Sequence, residues 1–201
     1  MDYTLLLISI LGGYTLGSIP FGLLIAKLSG QGDIRNIGSG NIGATNVLRT
    51  GRKDLAALTL LFDAGKAGLA AILINSFIGL PYGLISGAAA LIGHCFPIWL
   101  KFKGGKGVAT FFGALLATSW PIGLMSGAVW LLMAFSSRMS SLGALAAAGT
   151  SPFIALLFNR IDIAVMAAVM AAMIYVRHKE NIVRILKGQE SKIGQKTSPK
   201  L

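Results

Sequence analysis

Long blocks of apolar residues divide this chain of 201 residues, and they constrain its fold more than any other feature. Each block approaches the length of a helix that crosses a bilayer, about 20 residues. Only 12% of the residues are charged, which is about half the share found in a soluble domain. The blocks are continuously apolar and do not alternate, which disfavours a membrane β-barrel. The pattern predicts an all-α integral membrane protein.

Seven of these blocks are predicted to form transmembrane helices. Their approximate bounds are residues 3–28, 54–77, 82–100, 106–118, 122–136, 142–158 and 163–177. The first block lacks the basic start of a cleaved signal, since Asp2 is its only early charge, so we expect a retained helix. Proline and glycine in residues 17–22 predict a kink. One membrane domain is expected over residues 1–201, with a basic, partly disordered tail from about residue 188.

The positions of lysine and arginine predict the orientation of the chain. They lie after the first, third and fifth blocks and in the tail, whereas the other connections carry almost no net charge. Such residues mark the cytoplasmic side, so seven helices place the N-terminus outside and the C-terminus in the cytoplasm. The basic residues that give the net charge of +11 are therefore expected to bind anionic lipids and anionic substrates, and no nucleic-acid partner is expected.

The first polar island, loop A, is GSGNIGATNVLR at residues 38–49. Its G-x-G-x-x-G spelling matches a dinucleotide fingerprint, but apolar helices flank it where that motif needs a βαβ unit, so we discard the match. Glycines let backbone N–H groups approach an anion, and a short helix capped by Thr45 or Asn46 would add partial positive charge. Arg49 adds a cation. The alternative is an ordinary interhelical turn.

The second polar island, loop B, is KGGKG at residues 103–107. No glycine stands at the Walker spacing ahead of Lys106, so it is not a P-loop. Two glycines and a lysine at the start of a helix nevertheless suit an anionic ligand, because the first N–H groups of a helix are unsatisfied. The alternative is a lysine that reaches the membrane surface beside a flexible turn.

The third polar island, segment C, is HKENIVRILKGQE at residues 178–190. If the seventh helix continues, His178, Asn181 and Arg184 recur every three residues and share one face. Histidine can transfer a proton near neutral pH. The alternative is a basic helix held at the surface by anionic lipids.

Smaller features keep two interpretations each. Asp63 and Lys66 are spaced as an ion pair inside the second block, and the pair is either structural or functional. His94 either packs in the core or belongs to a site. Ser141 either lines a pocket or ends a helix. The single cysteine and the two histidines do not form a ligand set, so no metal and no cofactor are expected.

Loop A, loop B with the preceding Gly93 and His94, and segment C occur in one order over nearly the whole chain. In this combination the sequence resembles the bacterial acyl-phosphate-dependent glycerol-3-phosphate acyltransferases, the PlsY family. The resemblance implies a seven-helix protein of the bacterial cytoplasmic (inner) membrane. It also implies acyl transfer from acyl phosphate to the 1-hydroxyl of sn-glycerol 3-phosphate, which gives lysophosphatidic acid and phosphate in the first acylation of phospholipid synthesis.

The resemblance and the residue chemistry together give a candidate site on the cytoplasmic face. The predicted catalytic residues are His178, Lys106, Ser39 and Asn181. The predicted substrate-binding residues are Gly38, Gly40, Asn41, Thr45, Asn46, Arg49, His94, Gly104, Gly105, Ser141, Arg184 and Glu190. Acyl phosphate is already activated, so neither a serine nucleophile nor a covalent acyl-enzyme is expected. His178 or a phosphate oxygen of the substrate is the expected proton acceptor.

Two other functions remain compatible with the sequence. A transporter for phosphate esters or lipids would also use glycine-interrupted helices with basic ends, although it would favour polar groups at the bilayer midplane and an internal repeat. A structural membrane subunit would leave the three cationic islands without a role. The sequence leaves acyl-chain preference and oligomeric state open, with a monomer as the simplest expectation.

Overall fold

The computed structural model describes residues 2–193, and ten α-helices dominate this range. Their bounds are α1 Tyr3–Gly17, α2 Phe21–Leu28, α3 Ala44–Val47, α4 Lys53–Ile78, α5 Leu80–Cys95, α6 Val108–Thr118, α7 Trp120–Ser137, α8 Ser140–Leu157, α9 Ile161–Arg177 and α10 Lys179–Leu186. Short 3₁₀ segments occur at Ile34–Asn36, Leu48–Thr50 and Ile98–Leu100. The all-α prediction is confirmed.

Several helices in the described range can cross a membrane by their length and composition. Five candidates satisfy both criteria, namely Tyr3–Leu28, Lys53–Ile78, Leu80–Leu100, Trp120–Ser137 and Ser140–Leu157. A sixth candidate combines α9 and α10, whose axes are bent by 65°. The helix α6 is apolar but has only 11 residues. The chain is thus an integral membrane protein, and the count of seven crossings stays a prediction.

The predicted kink in the first block separates α1 from α2. Residues 18–20 lie between the two helices, and Pro20, which has no N–H to donate, directly precedes α2. The carbonyl of Ile19 accepts a hydrogen bond from the N–H of Phe21 at 3.1 Å and another from Lys66 Nζ at 2.8 Å. The break therefore presents a polar group to α4 inside an apolar bundle.

Glycines allow neighbouring helices to approach closely. A Cβ atom on Gly17 of α1 would lie 2.0 Å from the carbonyl oxygen of Ala90 in α5. A Cβ atom on Gly113 of α6 would lie 1.9 Å from the carbonyl oxygen of Ala64 in α4. Small residues of this kind are typical of helix contacts in membranes, where packing replaces the hydrophobic effect as the main attraction.

Two buried clusters stabilise the bundle and loop A. The larger cluster joins all the helices from α4 to α9, mainly through small and aliphatic side chains. The smaller one lies beneath loop A and contains Ala26, Ile34, Ile42, Val47, Leu55 and Ala56. Outside the clusters, large apolar side chains such as Phe77 and Phe135 are 84% and 89% exposed. Exposure of this kind is stable when the surrounding medium is lipid.

Candidate active site

A pocket of about 170 Å³ brings all three polar islands together. Loop A contributes Ser39, Gly40 and Asn41, and loop B contributes Gly104 and Lys106. The end of α9 and the start of α10 complete the wall with Val176, Arg177, Lys179 and Glu180. Five of the residues that the sequence selected therefore line one cavity, although they are far apart along the chain.

Asn46 organises loop A from the inside. Its side chain is buried, and its Oδ1 accepts hydrogen bonds from the N–H and hydroxyl of Ser39 at 3.1 and 3.3 Å. Its Nδ2 donates to the carbonyl of Ile34 at 2.7 Å. The predicted capping role is wrong, because α3 begins after Gly43 without a side-chain cap and has four residues. Thr45 is exposed on α3, outside the residues that line the pocket.

Arg49 crosses loop A towards the C-terminal segment. Its Nη1 donates to Asn46 Oδ1 at 3.4 Å, and its Nη2 donates to the Ser191 hydroxyl at 3.0 Å. A Cβ atom on Gly38 would lie 2.6 Å from Arg49 Cδ, so a side chain at position 38 would displace the guanidinium. Gly38 also has a φ of 54°, which favours glycine.

Loop B differs from the expected anion cradle in one respect. The N–H of Gly104 donates to the carbonyl of Cys95 at 3.1 Å, and the N–H of Gly105 donates to the carbonyl of His94 at 3.0 Å. These two amides are therefore engaged within the protein, contrary to the expectation that they face an anion. The glycines instead permit close packing, since a Cβ atom on Gly104 would lie 2.1 Å from the His94 oxygen. Lys106 is the cation that loop B contributes to the lining of the pocket.

Arg177 lines the pocket, although the sequence indicated only that it marks the orientation of the chain. Its Nε donates to the carbonyl of Gly105 at 3.0 Å, and its Nη2 donates to that of Gly104 at 2.9 Å. The guanidinium carbon lies 5.2 Å from the ring centre of Phe96. The planar guanidinium thus donates to both glycine carbonyls through two N–H groups of fixed geometry, which the ammonium of a lysine does not provide. Its position directly before His178 in the sequence could have indicated that it belongs to the site.

Asn181 connects loop B to the C-terminal segment. The ammonium of Lys106 donates to Asn181 Oδ1, and Asn181 Nδ2 donates to Glu190 Oε1 at 2.6 Å. The amide orientation follows from these partners, because the ammonium can only donate and the carboxylate can only accept. Asn181 therefore holds Lys106 at the edge of the pocket.

Glu190 gathers three donors from two helices. Besides Asn181, the Ser141 hydroxyl donates to Oε1 at 2.9 Å and Arg184 Nε donates to Oε2 at 2.7 Å. Only 4% of its side chain is exposed. The residues from 189 to 193 thus fold back over the site, while residues 194–201 of the predicted tail lie outside the described range.

His178 lies at the bend between α9 and α10. The seventh helix does not continue straight through segment C, because the axes of α9 and α10 diverge by 65° there, so the condition for the shared face of His178, Asn181 and Arg184 is not met by one straight helix. The side chain is buried, and Nδ1 lies 2.8 Å from the carbonyl of Ile174. A carbonyl can only accept, so Nδ1 carries a proton and Nε2 of the neutral ring has a free lone pair. The Nε2 lone pair can accept a proton, and His178 itself lies outside the residues that line the pocket.

The electrostatics of the site favour anions. Burial is the largest cause that lowers the pKa of Lys106 to about 8; the positive charge of Arg184 also lowers it, whereas Glu190 and Glu180 raise it. Burial likewise lowers the pKa of the Arg49 guanidinium, which remains protonated. Arg49, Lys106 and Arg184 interact with one buried carboxylate, Glu190, and Arg177 lines the pocket with Lys179 and Glu180. A dianionic phosphate would offset this excess of positive charge.

Together these features define a helical membrane protein with a cationic pocket at the junction of its polar loops. The family model described as glycerol-3-phosphate acyltransferase matches residues 7–188. The glycerol-3-phosphate acyltransferase of Maricaulis maris is 61% identical over 187 residues, which cover 93% of this chain and 87% of that protein. The enzyme of the same name from Caulobacter vibrioides is 57% identical over 198 residues, with coverage of 96% and 90%.

Two crystal structures share the fold. One is PlsY (YgiH), an integral membrane glycerol 3-phosphate acyltransferase, in its glycerol 3-phosphate form, with a TM-score of 0.88, 38% identity and coverage of 94% and 96%. The other is the lysophosphatidic acid form, with a TM-score of 0.87 and 37% identity. The chain therefore belongs to the glycerol-3-phosphate acyltransferase family.

Proposed function

We propose that this acyltransferase moves a fatty acyl group from acyl phosphate to the 1-hydroxyl of sn-glycerol 3-phosphate. The products are lysophosphatidic acid and inorganic phosphate. The observation that carries the proposal is the pocket in which Ser39, Lys106 and Arg177 meet, because it gathers cations where two phosphate-bearing substrates approach each other. Family membership supports acyl transfer over the alternative of transport.

The reaction needs charge neutralisation more than it needs a nucleophile from the protein. Two anions repel each other, and Arg49, Lys106 and Arg184 reduce that repulsion. The 1-hydroxyl oxygen attacks the acyl carbon, the bond from that carbon to the phosphate oxygen breaks, and phosphate leaves with the electron pair. The hydroxyl proton passes to His178 Nε2 or to a phosphate oxygen of the substrate.

The residues divide between the two substrates. Ser39 and Asn41, with Gly40 of loop A, contact one phosphate, whereas Thr45, which the sequence assigned to the same phosphate, lies outside the residues that line the pocket. Arg49, Lys106, His178 and Asn181 contact glycerol 3-phosphate, with Arg184, Ser141 and Glu190 arranged behind them. The Ser39 hydroxyl donates to the oxyanion that forms at the acyl carbon by giving up its 3.3 Å hydrogen bond to Asn46 Oδ1.

We further infer seven crossings, with the N-terminus outside and the pocket on the cytoplasmic face of the inner membrane. The seven are the five long helices, α9 with its bend, and α6. An 11-residue helix spans about 16 Å, roughly half of the hydrocarbon layer. Loop B, which precedes α6, is therefore sunk below the membrane surface, where an acyl phosphate can keep its chain in lipid while its phosphate meets Lys106.

The deciding experiment is a donor-specificity assay on the purified protein. Palmitoyl phosphate, palmitoyl-CoA and palmitoyl-acyl carrier protein are each supplied with radiolabelled glycerol 3-phosphate in detergent micelles. Lysophosphatidic acid is expected with palmitoyl phosphate alone. Product formed only from the thioesters would reject the donor, and uptake into liposomes without product would favour transport.

A further inference from the structure

Three ionisable side chains meet inside the bundle, beyond the residues that line the pocket. Asp63 and Lys66 lie on α4 and His94 lies at the end of α5, and their side chains are 2%, 2% and 4% exposed. Charged groups at such positions in a membrane protein are costly and are usually paired. Their arrangement is more specific than a pair requires.

The Lys66 ammonium has three acceptors around it. Nζ lies 2.8 Å from the carbonyl of Ile19 at the break between α1 and α2, 2.9 Å from His94 Nδ1 and 3.1 Å from Asp63 Oδ1. An ammonium group has three N–H donors and no lone pair. The contact with Nδ1 allows two arrangements: the charged ammonium donates to an unprotonated Nδ1, or a protonated Nδ1 faces Asp63 Oδ1, 3.5 Å away. The shorter distance to Nζ favours the first arrangement, in which the proton of the neutral imidazole lies on Nε2.

The Nε2 edge of His94 lies against loop B. A Cβ atom on Gly105 would lie 2.0 Å from Nε2, so only glycine leaves room for the ring. The His94 carbonyl also accepts the N–H of Gly105, and on the other side Arg177 binds the carbonyls of Gly104 and Gly105. The backbone that precedes Lys106 is thus held between an imidazole and a guanidinium.

We propose that Asp63 and Lys66 are positioning residues for the acyl transfer. They hold His94 as its Nε2–H tautomer, and His94 fixes loop B so that Lys106 meets its anionic substrate. The inference rests on the proposed phosphate-binding role of the pocket. A purely structural ion pair would explain the contact between Asp63 and Lys66, but it would not require the ammonium to face Nδ1 of His94.

The tautomer can be measured without substrate. Full-length protein with ¹⁵N-labelled histidine is studied in micelles by NMR, and the His178→Asn variant assigns the two rings. In the wild type we expect an unprotonated Nδ1 and a protonated Nε2 on His94, and a change of this pattern in Lys66→Met. A protonated Nδ1 in the wild type would overturn the proposal. Failure of the acyl-phosphate donor would leave this result intact.

Kinetics then separate positioning from stability. Asp63→Asn and Lys66→Met each leave one buried charge without its partner, so each lowers Tm. The double variant removes both charges and is expected to recover most of the Tm. Its KM for glycerol 3-phosphate is expected to stay about tenfold above the wild type, because a small displacement of a binding group is costly. A double variant with wild-type KM would show a structural pair only.

A matched pair of His94 variants tests whether the imidazole acts on loop B through its Nε2 edge. His94→Asn keeps an acceptor near the Nδ1 position for Lys66 but removes the group beside Gly105. His94→Gln extends an amide to the Nε2 position. We expect a lower KM for glycerol 3-phosphate in the glutamine variant than in the asparagine variant. Equal KM values at equal Tm would contradict a role for Nε2.

Discussion

Lys106 is the residue whose charge is expected to set the pH range of the enzyme. Its pKa is lowered to about 8, first by burial, so the ammonium is present below that pH and is lost above it. We expect kcat/KM for glycerol 3-phosphate to fall as the pH rises through about 8. Lys106→Arg is the control, because a guanidinium does not titrate in this range. An alkaline fall that persists in that variant would assign the titration to another group.

His178 is expected to act through Nε2, since its Nδ1 is engaged with Ile174. His178→Asn keeps a donor for the Ile174 carbonyl and removes the Nε2 edge. A general base is worth about 10²–10⁴ in rate, so kcat in this variant should fall within that range with little change in Tm. Single-turnover measurements give the chemical step directly. A fall of less than tenfold would assign the proton to a substrate phosphate oxygen.

The sequence was informative about single residues where their chemistry and the family resemblance pointed to the same position. Ser39, Lys106 and Asn181 could be chosen because small polar and cationic side chains in a membrane protein need partners. Arg177 was missed because an arginine at a helix end also marks the cytoplasmic side. The engaged amides of Gly104 and Gly105 could not be foreseen, since the sequence does not show which way a loop N–H points.

At the scale of helices, the contact between α4 and α6 is expected to tolerate no side chain at Gly113. A Cβ atom there would lie 1.9 Å from the backbone oxygen of Ala64, so Gly113→Ala must push the helices apart. Overpacking costs about 1–3 kcal/mol. Gly127→Ala in α7 is the control, because no atom lies within 4 Å of the added Cβ. Thermal unfolding in micelles should show a lower Tm for the first variant alone.

Helix positions were predictable because apolar length dominates in membrane proteins. The block at residues 142–158 corresponds to α8, Ser140–Leu157, and the block at 54–77 corresponds to α4, Lys53–Ile78. The bend at His178 was not predictable, because the block at residues 163–177 before it and segment C after it both have a helical pattern. The backbone turns there as residues 189–193 return to the site, which is a tertiary contact.

At the scale of the whole molecule, Glu190 ties the C-terminal segment to α8 and α10. Burial alone would raise its pKa, but hydrogen bonds from Asn181, Arg184 and Ser141 outweigh burial and lower it. Glu190→Gln should therefore lower Tm at neutral pH. The deficit should shrink as the pH falls below the ordinary carboxyl value of 4.5, because the unfolded carboxyl then binds a proton that the folded one does not, and it should be smallest once the pH passes below the lowered pKa of the folded protein.

Asp54→Asn is the matched control for the Glu190 variant. Asp54 pairs with Arg52 on the surface, and both side chains are about half exposed, at 58% and 46%. Exposed pairs contribute little to stability, so the Tm of this variant should match the wild type. An equal loss of Tm in both variants would show a general effect of removing negative charge.

The crossing of α6 decides the topology of the whole molecule. If α6 spans the membrane, Lys101 before it faces the cytoplasm and Trp120 after it faces outside, as the lysine and arginine pattern predicts. Both residues are exposed, so Lys101→Cys and Trp120→Cys can be labelled, while the native Cys95 is buried. In intact cells a membrane-impermeant maleimide should label position 120, and position 101 should react only after permeabilisation. Labelling of both positions from the same side would reduce the count to six.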